Sequence, residues 1–246
     1  MSSTKSNLAS KNIASKNKKS IFKNDISQVF KLIVEKRVFF LLILINLVVQ
    51  LYITYYVSKN VNIVDTNDTK KTRYNAKTIA AYIVSFILII ILALVPMPLW
   101  LKFIIFSLFS AVLGVILSSV KHNFDPNTIK GAFVGTISIF VSMFAFGLAL
   151  IMSGIQLGYK FGLGLFFALL LLILISIVQI FIYNSSFLKK LIILISLILF
   201  SLYIVYDTNS ILQRNYSGDF ISASLDYYLD IINIFSALLG ESGLSD

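Results

Sequence analysis

Continuous apolar runs of roughly 20 residues, each the length of a bilayer-spanning helix, set the rhythm of the chain. They cover residues 38–57, 78–95, 101–120, 129–152, 163–182, 188–206 and 220–239. The first opens VFFLLILINLVVQ directly after Lys36-Arg37, and the second is closed by Pro96 and Pro98. Proline lacks a backbone donor, so a Pro-Met-Pro stretch breaks a helix. The connections are short and polar: residues 58–77 with Asp65, Asp68, Lys70, Lys71 and Arg73, the KHNFDPN loop, and Tyr183-Asn184-Ser185-Ser186. The runs are continuous and do not alternate, which predicts helices and not barrel strands. The pattern therefore predicts an all-α integral membrane protein, a seven-transmembrane helical bundle with the last helix central. Residues 1–37 read as a basic, disordered N-terminal tail, 38–240 as the membrane domain, and 241–246 as a short C-terminal tail.

Composition strengthens this reading. Hydrophobic residues make up 58% and charged residues 13%, against about 45–50% and about 25% in soluble domains. Lipid is the solvent such a chain fits, so the bilayer is its first partner. The absence of cysteine excludes disulfide and thiol chemistry. His122 is the one histidine, so a histidine-based metal site or triad has little to build on.

The net charge of +10 changes the picture only through its placement. Nine of the 21 cations lie in the tail before the first run, and most others flank runs. Cations there set topology and meet anionic headgroups, and a nucleic-acid partner is not expected. Seven spans put Lys102, Lys160 and Arg214 on the tail's side, and that side is expected to be cytosolic. The tail is poor in arginine for a mitochondrial presequence, and the first run starts too late for a secretory signal.

The polar groups inside the last two runs carry the candidate chemistry. In FISASLDYYLDIINIFSALLG, Ser222, Asp226, Asp230, Asn233, Ala237 and Gly240 fall on one stripe at helical spacing. A carboxylate near the bilayer centre costs at least about 3 kcal/mol, so this stripe should face protein or water. Asp226 and Asp230 sit one turn apart and repel when both are ionised. Asp207 ends the sixth run in SLYIVYDTN, on a face with Ser196, Phe200 and Tyr203, where the helix is expected to leave the membrane. The short connection that follows makes the two helices antiparallel neighbours, able to bring Asp207 to the stripe.

These stretches resemble the transmembrane Bax inhibitor motif family. FSLYIVYDTNSILQRN matches the family's aromatic-Asp turn through Asp207 and Asn209. SASLDYYLDIINIFSALL matches its last-helix run through Tyr228, Leu229, Asp230, Ile231, Ile232 and Asn233. KGAFVGTISIFVSMFAF is similar to its fourth helix, and the span count agrees over residues 35–240. The resemblance implies a pH-sensitive calcium leak, with cell-death suppression in eukaryotic members. It makes Asp207 and Asp230 the proton sensor and pore latch, with Asp226, Asn233, Asn209 and Ser222 as secondary pore-lining candidates. It implies no cofactor and no catalytic residue; Ca²⁺ is the permeant ion, held transiently at Asp207 and Asp230, whose hard oxygens suit it. An arginine that reaches the aspartates in some members is missing. Lys102 stands nearby and lacks the bidentate fork.

The expected membrane is the ER or Golgi for a eukaryotic or viral chain and the inner membrane for a bacterial one. Two other readings stay open. One is a non-conducting protein that binds other membrane proteins of cell-death control. The other is an intramembrane aspartyl hydrolase, disfavoured because the Gly-Asp motif of known examples is missing. Gly131/Gly135, Gly154/Gly158 and Gly158/Gly162 have the four-residue spacing that permits close helix approach. GYKFGLG lacks the Lys-Ser/Thr of a phosphate loop. DTNDT at 65–69 lacks the ligand spacing of a calcium hand, and Asn67 begins a formal glycosylation sequon.

Overall fold

The computed structural model describes residues 34–61, 76–121, 123–181, 185–213 and 218–242. The tail to residue 33, the loop with Asp65 to Thr69, His122, Arg214 and the last four residues lie outside the described residues. The described residues form helices α1 (Val34–Asn60), α2 (Ala76–Leu94), α3 (Leu99–Lys121), α4 (Pro126–Met152), α5 (Tyr159–Phe181), α6 (Ser186–Gln213) and α7 (Phe220–Ser242), and no strand. The first six are long and apolar enough to cross a bilayer. The chain is a multi-pass, all-α membrane protein.

Two boundaries differ from the hydrophobic pattern. Helix α1 begins by Val34, before the Lys36-Arg37 pair. Lys36 is helical, and its Nζ donates to the Ile211 and Leu212 carbonyls at 3.3 and 2.8 Å, meeting the open end of α6. Helix α6 runs to Gln213 and not to residue 206. Asp207-Thr208-Asn209-Ser210 read as an exit because such residues favour turns. All four are buried here, and Ile211 and Leu212 beyond them are 0% and 1% exposed. Tertiary partners, described below, keep this polar stretch helical.

Helix α4 starts as its sequence dictates. Asp125 accepts from the backbone N–H of Asn127 and Thr128 and from the Thr128 hydroxyl, with Pro126 at the first helical position. The Thr128 donors, then that of Asn127, hold this exposed carboxyl below its usual range. A depressed carboxyl stabilises the fold above its unfolded-state value and loses that effect as pH falls through the folded-state value. Asp125→Ala is expected to lower the melting temperature at neutral pH, with the difference from wild type closing in acid. Thermal unfolding at several pH values checks this.

Helix α7 is central. It packs against α6, α4 and α3 and is hydrogen-bonded to α1. Two adjacent tyrosines, both fully buried, fix it from opposite sides. Tyr227 meets Phe140 and Phe144 of α4 edge-on at 5.4 and 6.1 Å. Tyr228 meets Phe106 and Phe109 of α3 at 5.2 and 6.0 Å. Lipid tails are as apolar as leucine, so ring packing and hydrogen bonds, not exclusion of water, hold the helices together.

The glycine spacings predict close approaches poorly. A Cβ at Gly131, Gly154 or Gly158 would meet nothing. Gly154 has φ +78° and serves the turn after α4. Gly135 and Gly162 do lie against a neighbour, Leu238 and the Tyr206 ring respectively. The tightest backbone approaches use two glycines outside those pairs. Gly147 brings α4 against α6 at Val205 and Thr208, and Gly114 brings α3 against α1 at Thr54 and Val57.

Candidate functional site

The site is assembled by α6 and α7. Asp207 is 8% and Asp230 is 4% exposed, and their carboxyl groups hydrogen-bond to each other. Two ionised carboxylates have no donor to share, so a hydrogen bond between them requires a proton on one of the two. The other Asp230 oxygen, Oδ2, is the buried side-chain polar atom left without a partner among the described residues. Asp226, one turn nearer the start of α7, is half-buried and acts on Asp230 through its charge.

The residues around the pair hold the two helices in register. Thr208 donates to the Ile204 carbonyl, and its hydroxyl meets the Tyr227 hydroxyl at 2.8 Å. Phe200 stacks on Tyr203 at 6.1 Å along the face of α6 that leads to Asp207. Asp207 is therefore inside a helix and packed on all sides, not at a helix end facing water.

The secondary candidates separate. The Asn209 amide accepts from the Leu157 N–H at 2.8 Å and donates to the Ile155 carbonyl at 3.0 Å. It grips the backbone between α4 and α5. The Ser222 hydroxyl accepts from Lys102 at 2.6 Å and donates to Asp219 at 2.8 Å, so it belongs to the start of α7. Asn233 is half-buried and donates to the Leu229 carbonyl of its own helix. Lys102 pairs with Asp219 at 2.6 Å, a residue the sequence reading passed over.

Asp219 caps α7 by accepting from the Ser222 N–H at 2.9 Å. Burial opposes its ionisation, but Lys102 and Ser222 outweigh burial and hold the carboxyl below its ordinary value. This bolt is present at neutral pH and lost as pH falls through the depressed folded-state value. Asp219 is 28% exposed, so solvent screens the pair. Asp219→Asn is expected to cost about 1 kcal/mol at neutral pH. Unfolding followed against pH should show that cost fade in acid.

The pattern missed a second polar group. Asn46, Gln50, Thr54 and Ser58 recur at every fourth position of α1, and all four are buried. That spacing was legible in the first run. Among the described residues, no three His, Cys, Asp or Glu side chains converge on one point. With only the Asp207–Asp230 pair in contact, a divalent cation there would have to complete its shell with water or backbone oxygens.

The fold and the site together define a helical membrane protein whose central helix carries Asp230 in a buried carboxyl pair with Asp207 of α6. A family profile described as inhibitor of apoptosis-promoting Bax1 matches residues 29–241. The chain belongs to this family, the Bax inhibitor family. It is 32% identical over 126 residues to a Golgi anti-apoptotic protein of vaccinia virus (strain Lister), covering 51% of each chain. Over 144 residues it is 28% identical to protein lifeguard 4 of Mus musculus, covering 58% of this chain and 57% of that one. Over 143 residues it is 30% identical to Bax inhibitor 1 of Schizosaccharomyces pombe, covering 58% and 52%. The chain spans about half the length of the curated relatives it matches.

Proposed function

We propose that the chain is a pH-sensitive cation leak, with Ca²⁺ as the permeant ion and Asp207 and Asp230 as proton sensor and latch. The observation that carries this reading is the hydrogen bond between the two carboxyls at the contact of α6 with the central helix. Such a pair titrates as a unit. Removing the shared proton leaves two like charges in contact, which works against the α6–α7 interface; restoring it rebuilds the bond. The unpartnered Asp230 Oδ2 supports a role toward a transient ligand, water or cation, over a purely structural one. The reading includes no catalytic step and no cofactor.

The physiological output proposed is suppression of cell death, supported by the anti-apoptotic name of the vaccinia relative. The same name supports an intracellular membrane such as the Golgi or ER for a eukaryotic or viral chain; a bacterial chain would occupy the inner membrane. The test is Ca²⁺ release from liposomes containing the full chain, followed with a calcium dye across a pH series. Flux that changes with pH, above that of protein-free liposomes, supports the reading. No flux at any pH overturns it and favours a non-conducting interaction protein.

A further inference from the structure

Helix α7 has a second polar face that the Asp207–Asp230 pair does not use. At helical spacing, Ser224 and Tyr228 point well away from Asp230. They face α1 and α3, where they join a chain of hydrogen-bonded side chains through the bundle. Asn46 donates to Ser224 at 3.0 Å, and Gln50 donates to Asn46 at 3.3 Å. Ser110 donates to Gln50 at 2.9 Å, and its backbone carbonyl accepts from the Thr54 hydroxyl at 3.0 Å. Tyr228 meets Thr54 at 2.5 Å. The six side chains are each at most 3% exposed, and no carboxylate is among them.

Both ends of this chain point toward polar groups. Ser222, two residues before Ser224, carries the Lys102–Asp219 bolt at the start of α7. Ser58, one turn beyond Thr54, is buried. Further toward that end, Thr78 of α2 meets Ser119 of α3 at 3.1 Å. The row thus runs from the Lys102 end of the bundle toward the Thr78 end.

Helix association alone does not call for such a row. Interhelical hydrogen bonds average about 0.6 kcal/mol each, and a few suffice beside the ring packing. Hydroxyls and amides bonded to one another can exchange those partners for water at small enthalpic cost. A leucine seam cannot. With no fixed negative charge, the row gives a divalent cation nothing to neutralise it.

We infer that the seam between α1, α3 and α7 is a second passage, for water and the protons water carries, separate from the carboxyl pair. In the geometry described it is narrowed where Gly114 lies against Thr54 and Val57.

The natural chain has no cysteine, so single introduced thiols report directly. Ser110→Cys, Ser224→Cys, lipid-facing Phe86→Cys and Asn127→Cys, exposed at the start of α4, are each placed in liposomes and treated with 2-aminoethyl methanethiosulfonate. Reaction needs the hydrated thiolate, so Ser110→Cys and Ser224→Cys should react about tenfold faster than Phe86→Cys and more slowly than Asn127→Cys. Adding Gln50→Leu should slow Ser110→Cys and slow proton entry, read with an internal pH dye, while leaving pH-dependent Ca²⁺ release in place. If both seam thiols react no faster than Phe86→Cys, the seam is dry and serves only to hold helices, and the inference fails. Proton entry unchanged by Gln50→Leu would equally overturn it. Ser→Cys is nearly isosteric, and either seam position alone decides the question. Calcium flux is read separately, so failure of the seam and failure of the latch are distinguishable.

Discussion

Asp230→Asn, reconstituted in liposomes, is expected to release Ca²⁺ at one rate from about pH 5 to about pH 8, a range over which the proposed latch should make the wild-type rate change. The reason lies in the contact itself. The wild-type bond exists only while the pair holds a proton. An Asn amide donates to the Asp207 carboxylate at every pH, so the variant keeps the α6–α7 bond permanently. Asp230→Ala removes the bond instead, and it should also give a flat profile, at a different level from Asp230→Asn. The two flat profiles bracket the wild-type range. Wild-type pH dependence surviving in both variants removes Asp230 from the sensor. Asp207→Asn repeats the test from α6, with the amide donated in the other direction.

The largest structural effect is expected at Gly147→Ala. A Cβ there would lie 2.8 Å from the Thr208 Cβ and 2.9 Å from the Val205 carbonyl oxygen. Thr208 is buried and already committed to Ile204 and Tyr227, and Val205 presents backbone, so neither yields cheaply. Overpacking of this kind costs about 2 kcal/mol, a fall of about 4–8 °C in melting temperature for a chain of this size. The same substitution at Gly131, where a Cβ meets nothing, should raise stability by up to about 1 kcal/mol through helix propensity. Thermal unfolding of the purified variants separates the two. A neutral Gly147→Ala would mean that α4 and α6 are not in backbone contact there. Because Thr208 follows Asp207 directly, Gly147→Ala should also disturb the pH profile of Ca²⁺ release, and Gly131→Ala should not.

Several of these features were legible before any fold was known. A bilayer leaves helices few alternatives, so run length alone placed most segment boundaries within a few residues. The cost of a carboxylate in lipid singled out Asp207, Asp226 and Asp230, the short α6–α7 connection put Asp207 within reach of the last-helix stripe, and the family resemblance picked Asp230 as its partner. The row Asn46, Gln50, Thr54 and Ser58 was legible too, at a spacing of four, but its neutral side chains carry a weaker signal than an aspartate.

Other features depended on partners distant in sequence. Asp207-Thr208-Asn209-Ser210 has the composition of a turn, and only Tyr227, Ile155 and Leu157 make it helix. Asn209 and Ser222 are polar residues in polar-lined motifs, and the sequence could not say that one grips a loop and the other caps a helix. Glycine spacing did not predict which glycines touch, because contact depends on how two helices cross, which no single helix encodes. By itself the sequence determined that this is a membrane bundle of α-helices with carboxylates committed to its interior, because the penalties for exposed backbone and buried charge in lipid are local and large. Only the tertiary structure decided that Asp207 and Asp230 are buried against each other while α7 turns a second, uncharged polar face to α1 and α3. Those pairings are set by helix register and crossing, which arise only when all the helices are packed together.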